Sequence, residues 1–336
     1  MMSPTLGDLS GYLTARRQNV TLRQQILQHS QEMTTGRAQN ATRHLKGDLG
    51  HLAGLEHDIT VATAHSSTIA EASVRVTTKQ AALGAMFDAL SSVAGALLSA
   101  NADFNAEMRQ AASDRATLAL DEIVTGLNVQ VAGHSLFAGS ATDRIAVLSG
   151  SEILSDLRAL LVGQSTLSDV DTILDDWFDS PTGGYMTTQY FGNDLDPPPL
   201  QLGPEATVEE NLGGHDARFR NILKSVVKVA LSADPTIAVN APLGKAMAQS
   251  ALDDVLSGQD QVTAMRATLG VVEERVEKAS AHLSARVTGF ETARLALVGV
   301  DTFEAASQLE ALQFSLESLY TVTARLSRLS LLEHLR

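Results

Sequence analysis

Cysteine is absent from all 336 residues, which removes disulfides, thiol nucleophiles and thiolate metal sites together. Aromatic residues are scarce, at 4% against a hydrophobic share of 44%. Burial must therefore rest on Leu, Val, Ile and Ala, the palette of helical seams more than of compact α/β cores. Grouped cations are also lacking. With 25 Lys and Arg against 39 Asp and Glu, the net charge is -14, and a phosphate backbone needs clustered Lys and Arg. No nucleic-acid partner is expected. The longest apolar run, "SSVAGALLSA" at 91–100, falls short of the roughly 18 residues that span a bilayer, so no membrane partner is expected either. The opening "MMSPTLGDLSGYLTARRQ" has no charged start, apolar run and small-residue cleavage site. The chain is expected to be cytoplasmic or to leave by a route without a cleaved signal.

Motifs for chemistry are equally sparse. "PLGKAMAQS" holds a Gly-Lys pair without the earlier glycine or the following hydroxyl of a phosphate-binding loop. His44, His51 and His57 are spaced by seven and six, which does not bring three imidazoles onto one metal along a straight helix. Asp169, Asp171, Asp175, Asp176 and Asp179 lack the central glycine and closing glutamate of a calcium loop and read as a solvated acidic helix face. "GHSLFAGS" lacks the spacing of a hydrolase nucleophile elbow. No cofactor, metal or catalytic residue is predicted, and an enzyme could reside only in the middle of the chain.

What the sequence does hold is helical periodicity. Leu6, Leu13, Val20 and Leu27 lie seven apart, with Leu9 beside them, a thin stripe on one helix face. After a break at Gly36, a second set runs Ala62, Ile69, Val76, Leu83, Leu90 and Leu97, complemented by Ala72, Met86 and Val93. The longest keeps the step through Val255, Val262, Leu269, Val276, Leu283, Phe290 and Leu297, joined by Met265, Val272, Ala279 and Ala293. Beyond Gly299, which reads as a hinge, Ala305, Leu312, Leu319 and Leu326 alternate with Leu309 and Leu316.

Between these lies a different texture, with Pro and Gly breakers, short alternating runs and the one tryptophan, Trp177. It suits a small α/β insertion that decorates the helices. The architecture expected is mainly α: an elongated antiparallel helical bundle or coiled coil formed by both chain ends, with a small α/β inserted domain. The divisions fall at 1–36 (terminal helix), 37–140 (N-terminal part of a helical rod), 141–214 (insertion), 215–299 (C-terminal part of the rod) and 300–336 (C-terminal helix).

Three stretches resemble bacterial flagellins and their hook-associated relatives. "EMTTGRAQN" looks like the Glu-x-x-Ser-Gly-Lys/Arg break after the first helix of that family. "NVQVAGHSLFAGSATD" is similar to the stretch that leads into its inserted domain, and "FEAASQLEALQFSLESLYTVTARLSRLSLLEHLR" resembles its closing helix. The likeness spans both ends, about three quarters of the chain, and leaves the insertion unmatched. "ATRHLKGDLGHLAGLEHD" departs from filament flagellins, and the insertion is small, which favours an adaptor at the junction of hook and filament. A filament subunit is the alternative. A sensor-type cytoplasmic coiled coil would share the heptads but would need a membrane segment or ligand domain.

The resemblance implies an exported structural protein of the flagellum that assembles with itself, a neighbouring hook-associated protein and flagellin, and an export chaperone on its C-terminal helix. The assembly interface it implies is Leu6, Leu13, Val20 and Leu27 with Ala305, Leu309, Leu312, Leu316, Leu319 and Leu326. Burying the six C-terminal positions contributes on the order of 10 kcal/mol. Association alone costs about 4–15 kcal/mol. A single contact is marginal, and several neighbours in a ring would prevail.

Overall fold

The computed structural model describes residues 6–100, 105–204, 206–209, 211–237 and 239–334, and side chains throughout these except at 6–9, 100 and 326–334. The described elements are helices α1 (Leu6–Thr35), α2 (Ala41–His44), α3 (Gly50–Ala100), α4 (Ala106–Leu127), α5 (Gly150–Leu161), α6 (Leu167–Asp179), α7 (Ala217–Leu231), α8 (Ala241–Val298) and α9 (Thr302–His334). The strands are two-residue pairs only: β1 (Gln130–Val131) with β2 (His134–Ser135), and β3 (Leu200–Gln201) with β4 (Thr207–Val208), both antiparallel. The chain divides into two units, residues 1–63 with 284–336, and residues 64–283.

In the larger unit the predicted stripes are the core. Ile69, Ala72, Val76, Leu83, Met86, Leu90, Val93 and Leu97 of α3 are all buried, and so are Val255, Val262, Met265, Leu269, Val276 and Leu283 of α8. These helices run antiparallel, tied by Gln80 Nε2 to the Arg266 carbonyl at 3.0 Å and by Gln259 Nε2 to Ser91 Oγ at 3.1 Å. α4 starts at an Asn105 cap whose side chain accepts from the Met108 N–H. It presents Ala112, Ser113, Ala116 and Ala119, small residues that let its backbone approach α7 closely. Ser113 Oγ donates to the Ala230 carbonyl across that contact. By length and composition α3 is apolar enough to cross a membrane, contrary to the expectation that no such stretch occurs. The reason is burial: its apolar side chains are those of this core.

The inserted segment carries helices α5 and α6 and the β3–β4 pair, and it is not a decoration. α5 opens with a capping box, Ser149 and Glu152 each bonding the other's backbone N–H. Ile153, Leu154 and Leu157 of α5 and Val170, Leu174, Trp177 and Phe178 of α6 join the same apolar cluster as α4 and α7. Here the expectation of a solvent-facing insertion fails, because the amphipathic faces of α5 and α6 find their apolar partners on the helical body itself. The entry is stitched by Asn128, whose Oδ1 accepts from the Ala146 and Val147 N–H groups (2.9 and 3.0 Å) while its Nδ2 donates to the Val147 carbonyl at 2.7 Å. Phe137 of the "LFAG" stretch is fully buried, edge-on to Phe219 of α7 with centroids 5.5 Å apart. Gly184 lies so close to the Trp177 indole that a Cβ there would overlap its ring nitrogen, so a methyl group would unseat the tryptophan.

Candidate assembly interface

The smaller unit brings the two chain ends together. α1 and α9 pack antiparallel along their lengths, and the pairing face of α9 is Ala305 (buried) followed by Leu309, Leu312, Leu316 and Leu319, all half-buried. Steps of four and three keep these residues on one side of the helix. All five belong to the set expected at an assembly interface, and here they pack against α1 within one chain. The sixth, Leu326, lies in α9, but its side chain is outside the described residues.

On α1 the seam is not the predicted stripe. The half-buried positions include Ala15, Asn19, Leu22, Ile26 and His29, while Leu13, Val20 and Leu27 are 47%, 51% and 64% exposed. Leu6 lies in α1, but its side chain falls outside the described residues. Sequence reading missed the true seam because Asn19 and His29 interrupt it with polar groups. The signal available was Leu22 and Ile26 at i, i+4 in line with Ala15. Polar cross-links accompany the apolar contact: Arg23 Nη2 donates to the Tyr320 hydroxyl at 2.8 Å. Hydrogen bonds from Asn19 and Arg23 hold the Tyr320 phenol below its ordinary range.

The seam covers only one side of each helix. Facing solvent are Tyr12, Leu13, Val20 and Leu27 on α1 and Phe303, Phe314 and Val322 on α9. Phe303 and Phe314, 80% and 72% exposed, lie eleven residues apart, close to three helical turns, and so share a face.

At the inner end of the pair, "EMTTGRAQN" forms a clasp. α1 ends at Gly36, whose φ of +66° is left-handed, the usual glycine exit from a helix. The reversal beyond it pairs with the α8–α9 reversal at Gly299: Ala38 N–H donates to the Val298 carbonyl at 2.8 Å and Val300 N–H to the Gly36 carbonyl at 3.0 Å. Glu32 is buried beneath this crossing. Its carboxylate accepts from the Gln39 N–H (3.2 Å) and from Gln28 Nε2 (2.9 Å), with His29 Nδ1 2.9 Å away. The motif glutamate thus satisfies a backbone donor that the left-handed turn leaves without a helical acceptor.

The remaining candidates for chemistry disperse. No group of three His, Asp or Glu side chains among the described residues is placed to hold a metal ion. Of the acidic run on α6, Asp169 serves the Thr166 helix cap and Asp176 is exposed. Asp171, Asp175 and Asp179 meet cations of α7, so three of the five are interhelical partners and not a purely solvated face.

The fold defines a class: a multi-helical protein whose ends pair antiparallel and whose middle is integrated into a helical core. Comparison with known proteins adds the particulars. Residues 252–335 match the family model for the bacterial flagellin C-terminal helical region. Among solved structures, the fold is similar to a flagellar hook-associated protein from Vibrio parahaemolyticus, with 16% identity, a TM-score of 0.53, and coverage of 72% of this chain and 94% of that one. It is also similar to Bacillus cereus FlgL, with 14% identity, a TM-score of 0.51, and coverage of 70% and 96%. No sequence match is found among curated proteins.

Proposed function

We propose that this chain is a structural component of the bacterial flagellum, an adaptor at the hook–filament junction of the hook-associated protein 3 type, which self-assembles through its terminal helices. The observation that carries this reading is the antiparallel α1–α9 pair, joined on one side and lined on the other by exposed Leu13, Val20, Leu27, Phe303 and Phe314. It lies at chain ends of which the second matches the flagellin C-terminal region. Such a pair is folded enough to present its outer stripes and incomplete enough to require neighbours.

Its partners in this reading are further copies of itself, a neighbouring hook-associated protein and flagellin, with an export chaperone covering the C-terminal helix before assembly. In this reading the protein works outside the cell after export, and its role is structural. The match to a flagellin region also favours the second reading, a short filament subunit. Deleting the gene and imaging the cells tests both. A junction adaptor predicts hooks without attached filaments and flagellin shed into the medium. A filament subunit predicts that the purified protein polymerises alone into long filaments. Normal, motile filaments after deletion would overturn both.

A further inference from the structure

Three carboxylates of α6 face three cations of α7 in a fixed antiparallel register. Asp171, Asp175 and Asp179 stand four apart, and so do Lys228, Lys224 and Arg220 in the opposite direction. The rungs are Asp171 Oδ1 to Lys228 Nζ at 2.6 Å, Asp175 Oδ1 and Asp179 Oδ2 to Lys224 Nζ at 2.8 and 2.7 Å, and Asp179 Oδ1 to Arg220 Nη1 at 3.9 Å. Arg220 also donates to the Phe178 and Asp179 carbonyls at 2.9 and 3.0 Å, closing the negative end of α6. Lys228 reaches further, to Ser250 Oγ at 2.8 Å and Asp254 at 3.6 Å on α8.

The two sides of this ladder are unequally buried. The Lys228, Arg220 and Lys224 side chains are 6%, 17% and 23% exposed, whereas Asp171, Asp179 and Asp175 are 37%, 41% and 60% exposed. The acids are well hydrated whether or not the helices touch. The cations are shielded by α6 and depend on the acids for compensation. Two turns bound α6. It is preceded by a turn containing Gly163 at φ +85° and followed by the Ser180–Gly184 turn with Pro181. A helix of 13 residues has no stability of its own in water, and α6 contributes four buried apolar side chains, Val170, Leu174, Trp177 and Phe178.

We propose that α6 is an electrostatically keyed flap. Its three acids set its register on α7 and hold it closed, and screening or removing those charges lets it open as a unit. Opening uncovers the aromatic seat of Trp177 and Phe178 while the α3–α4–α7–α8 body stays folded. Apolar contact sets most of the stability of α6, and charge at the flap tunes how often it opens.

Amide exchange along α6 reports on this directly. In the full-length protein, the triple variant Asp171→Asn, Asp175→Asn, Asp179→Asn should raise the open fraction of α6, read as the exchange rate of amides 170–178, about eightfold, the product of three pairs each worth roughly a factor of two. Far-ultraviolet helicity should fall by no more than the α6 contribution. Unchanged exchange of these amides in the variant overturns the proposal, and so does acceleration that comes only with loss of the whole helical signal. Should the variant fail to fold, native-state hydrogen exchange on the unaltered protein decides. Amides 170–178 should exchange faster than amides 222–229 of α7 and should accelerate as NaCl rises from about 0.05 M to about 1 M. Equal protection of the two helices, or exchange of α6 that ignores salt, overturns it.

Discussion

Val300 donates its backbone N–H to the carbonyl of Gly36 at 3.0 Å, and with the reciprocal bond from Ala38 to Val298 it fastens two chain reversals to each other. Each terminal helix therefore leaves its reversal at the same level as the other, which lets α1 and α9 pair from their inner ends outward. The register of the pair is set here by backbone bonds, before any side chain of the seam contributes.

The clasp depends on a backbone conformation only glycine adopts without strain. Gly36 is left-handed, and a Cβ added there would meet nothing within 4 Å, so a substitution is opposed by torsion and not by crowding. Gly36→Val should weaken the clasp by about 1–2 kcal/mol, whereas Gly36→Asn, which tolerates this region, should weaken it by less. Exchange of the Val300 and Ala38 amides reads the difference. Equal exchange in both variants and the native chain would show that the crossing does not rest on this torsion.

The two predicted stripes should behave oppositely when a charge is introduced. Leu316→Asp places a carboxylate in the α1–α9 seam, where Leu316 is half-buried, and should separate the pair in the free monomer at a cost of about 1–3 kcal/mol. Val20→Asp lies on the solvent face at 51% exposure and should change monomer stability by less than about 0.5 kcal/mol. If the outer stripe is the assembly surface, Val20→Asp cells nonetheless make hooks that hold no filaments. Thermal unfolding of both proteins and electron microscopy of both strains check this. A stable Leu316→Asp monomer, or a Val20→Asp strain with normal filaments, would reassign the corresponding face.

Deleting residues 149–213 should cost the larger unit its cooperativity. The deletion removes Ile153, Leu157, Leu174, Phe178 and Tyr185, all at most 1% exposed, and also the Arg158 side chain that bonds Asp234 at 2.6 Å. Each large apolar side chain withdrawn from such a cluster forfeits about 1.5–3 kcal/mol, so the five together rival the whole stability of an ordinary domain, about 5–15 kcal/mol. Calorimetry should show the main transition abolished. Retention of a sharp transition would make the segment a dispensable appendage.

Alkali should loosen the same region. Burial pushes the Tyr190 phenol up to about 12, and burial drives Tyr185 higher still. Both favour the neutral form in the fold. The Tyr190 stabilisation is intact below the unfolded value of 10.0 and is lost as pH rises through about 12, and that of Tyr185 is lost at still higher pH. For Tyr190 the loss is on the order of 2–3 kcal/mol. Tyr190→Phe should flatten the fall in melting temperature above pH 10 or so, although it forfeits the bond from the hydroxyl to the Asn193 carbonyl at 2.9 Å. An unchanged alkaline slope would place the titrating groups elsewhere.

Much of this fold is legible in the chain because a heptad repeat is a local property. Val255, Val262 and Leu269 share a helix face whatever surrounds them, and in α3 and α8 each such face is broad and unbroken enough to have one possible fate, burial. Gly36 and Gly299 are legible for a similar reason, since breakers act on their own torsions. The face α9 turns to α1 was likewise written in five small or apolar residues spaced by four and three.

The side of α1 that meets α9 was a tertiary decision. Leu13, Val20 and Leu27 form the cleaner apolar stripe, yet the seam takes Ala15, Asn19, Leu22 and Ile26, because the clasp fixes the helix rotation and Tyr320 supplies a partner for Asn19 and Arg23. The acidic run of α6 became a ladder only because α7, some 40 residues away in sequence, offered cations at matching spacing. Sequence alone determines which faces of its helices are apolar and where they stop, because those follow from side-chain period and backbone torsion. Only the tertiary structure decides which face meets which, because that choice rests on the sum of long-range contacts that no single segment contains.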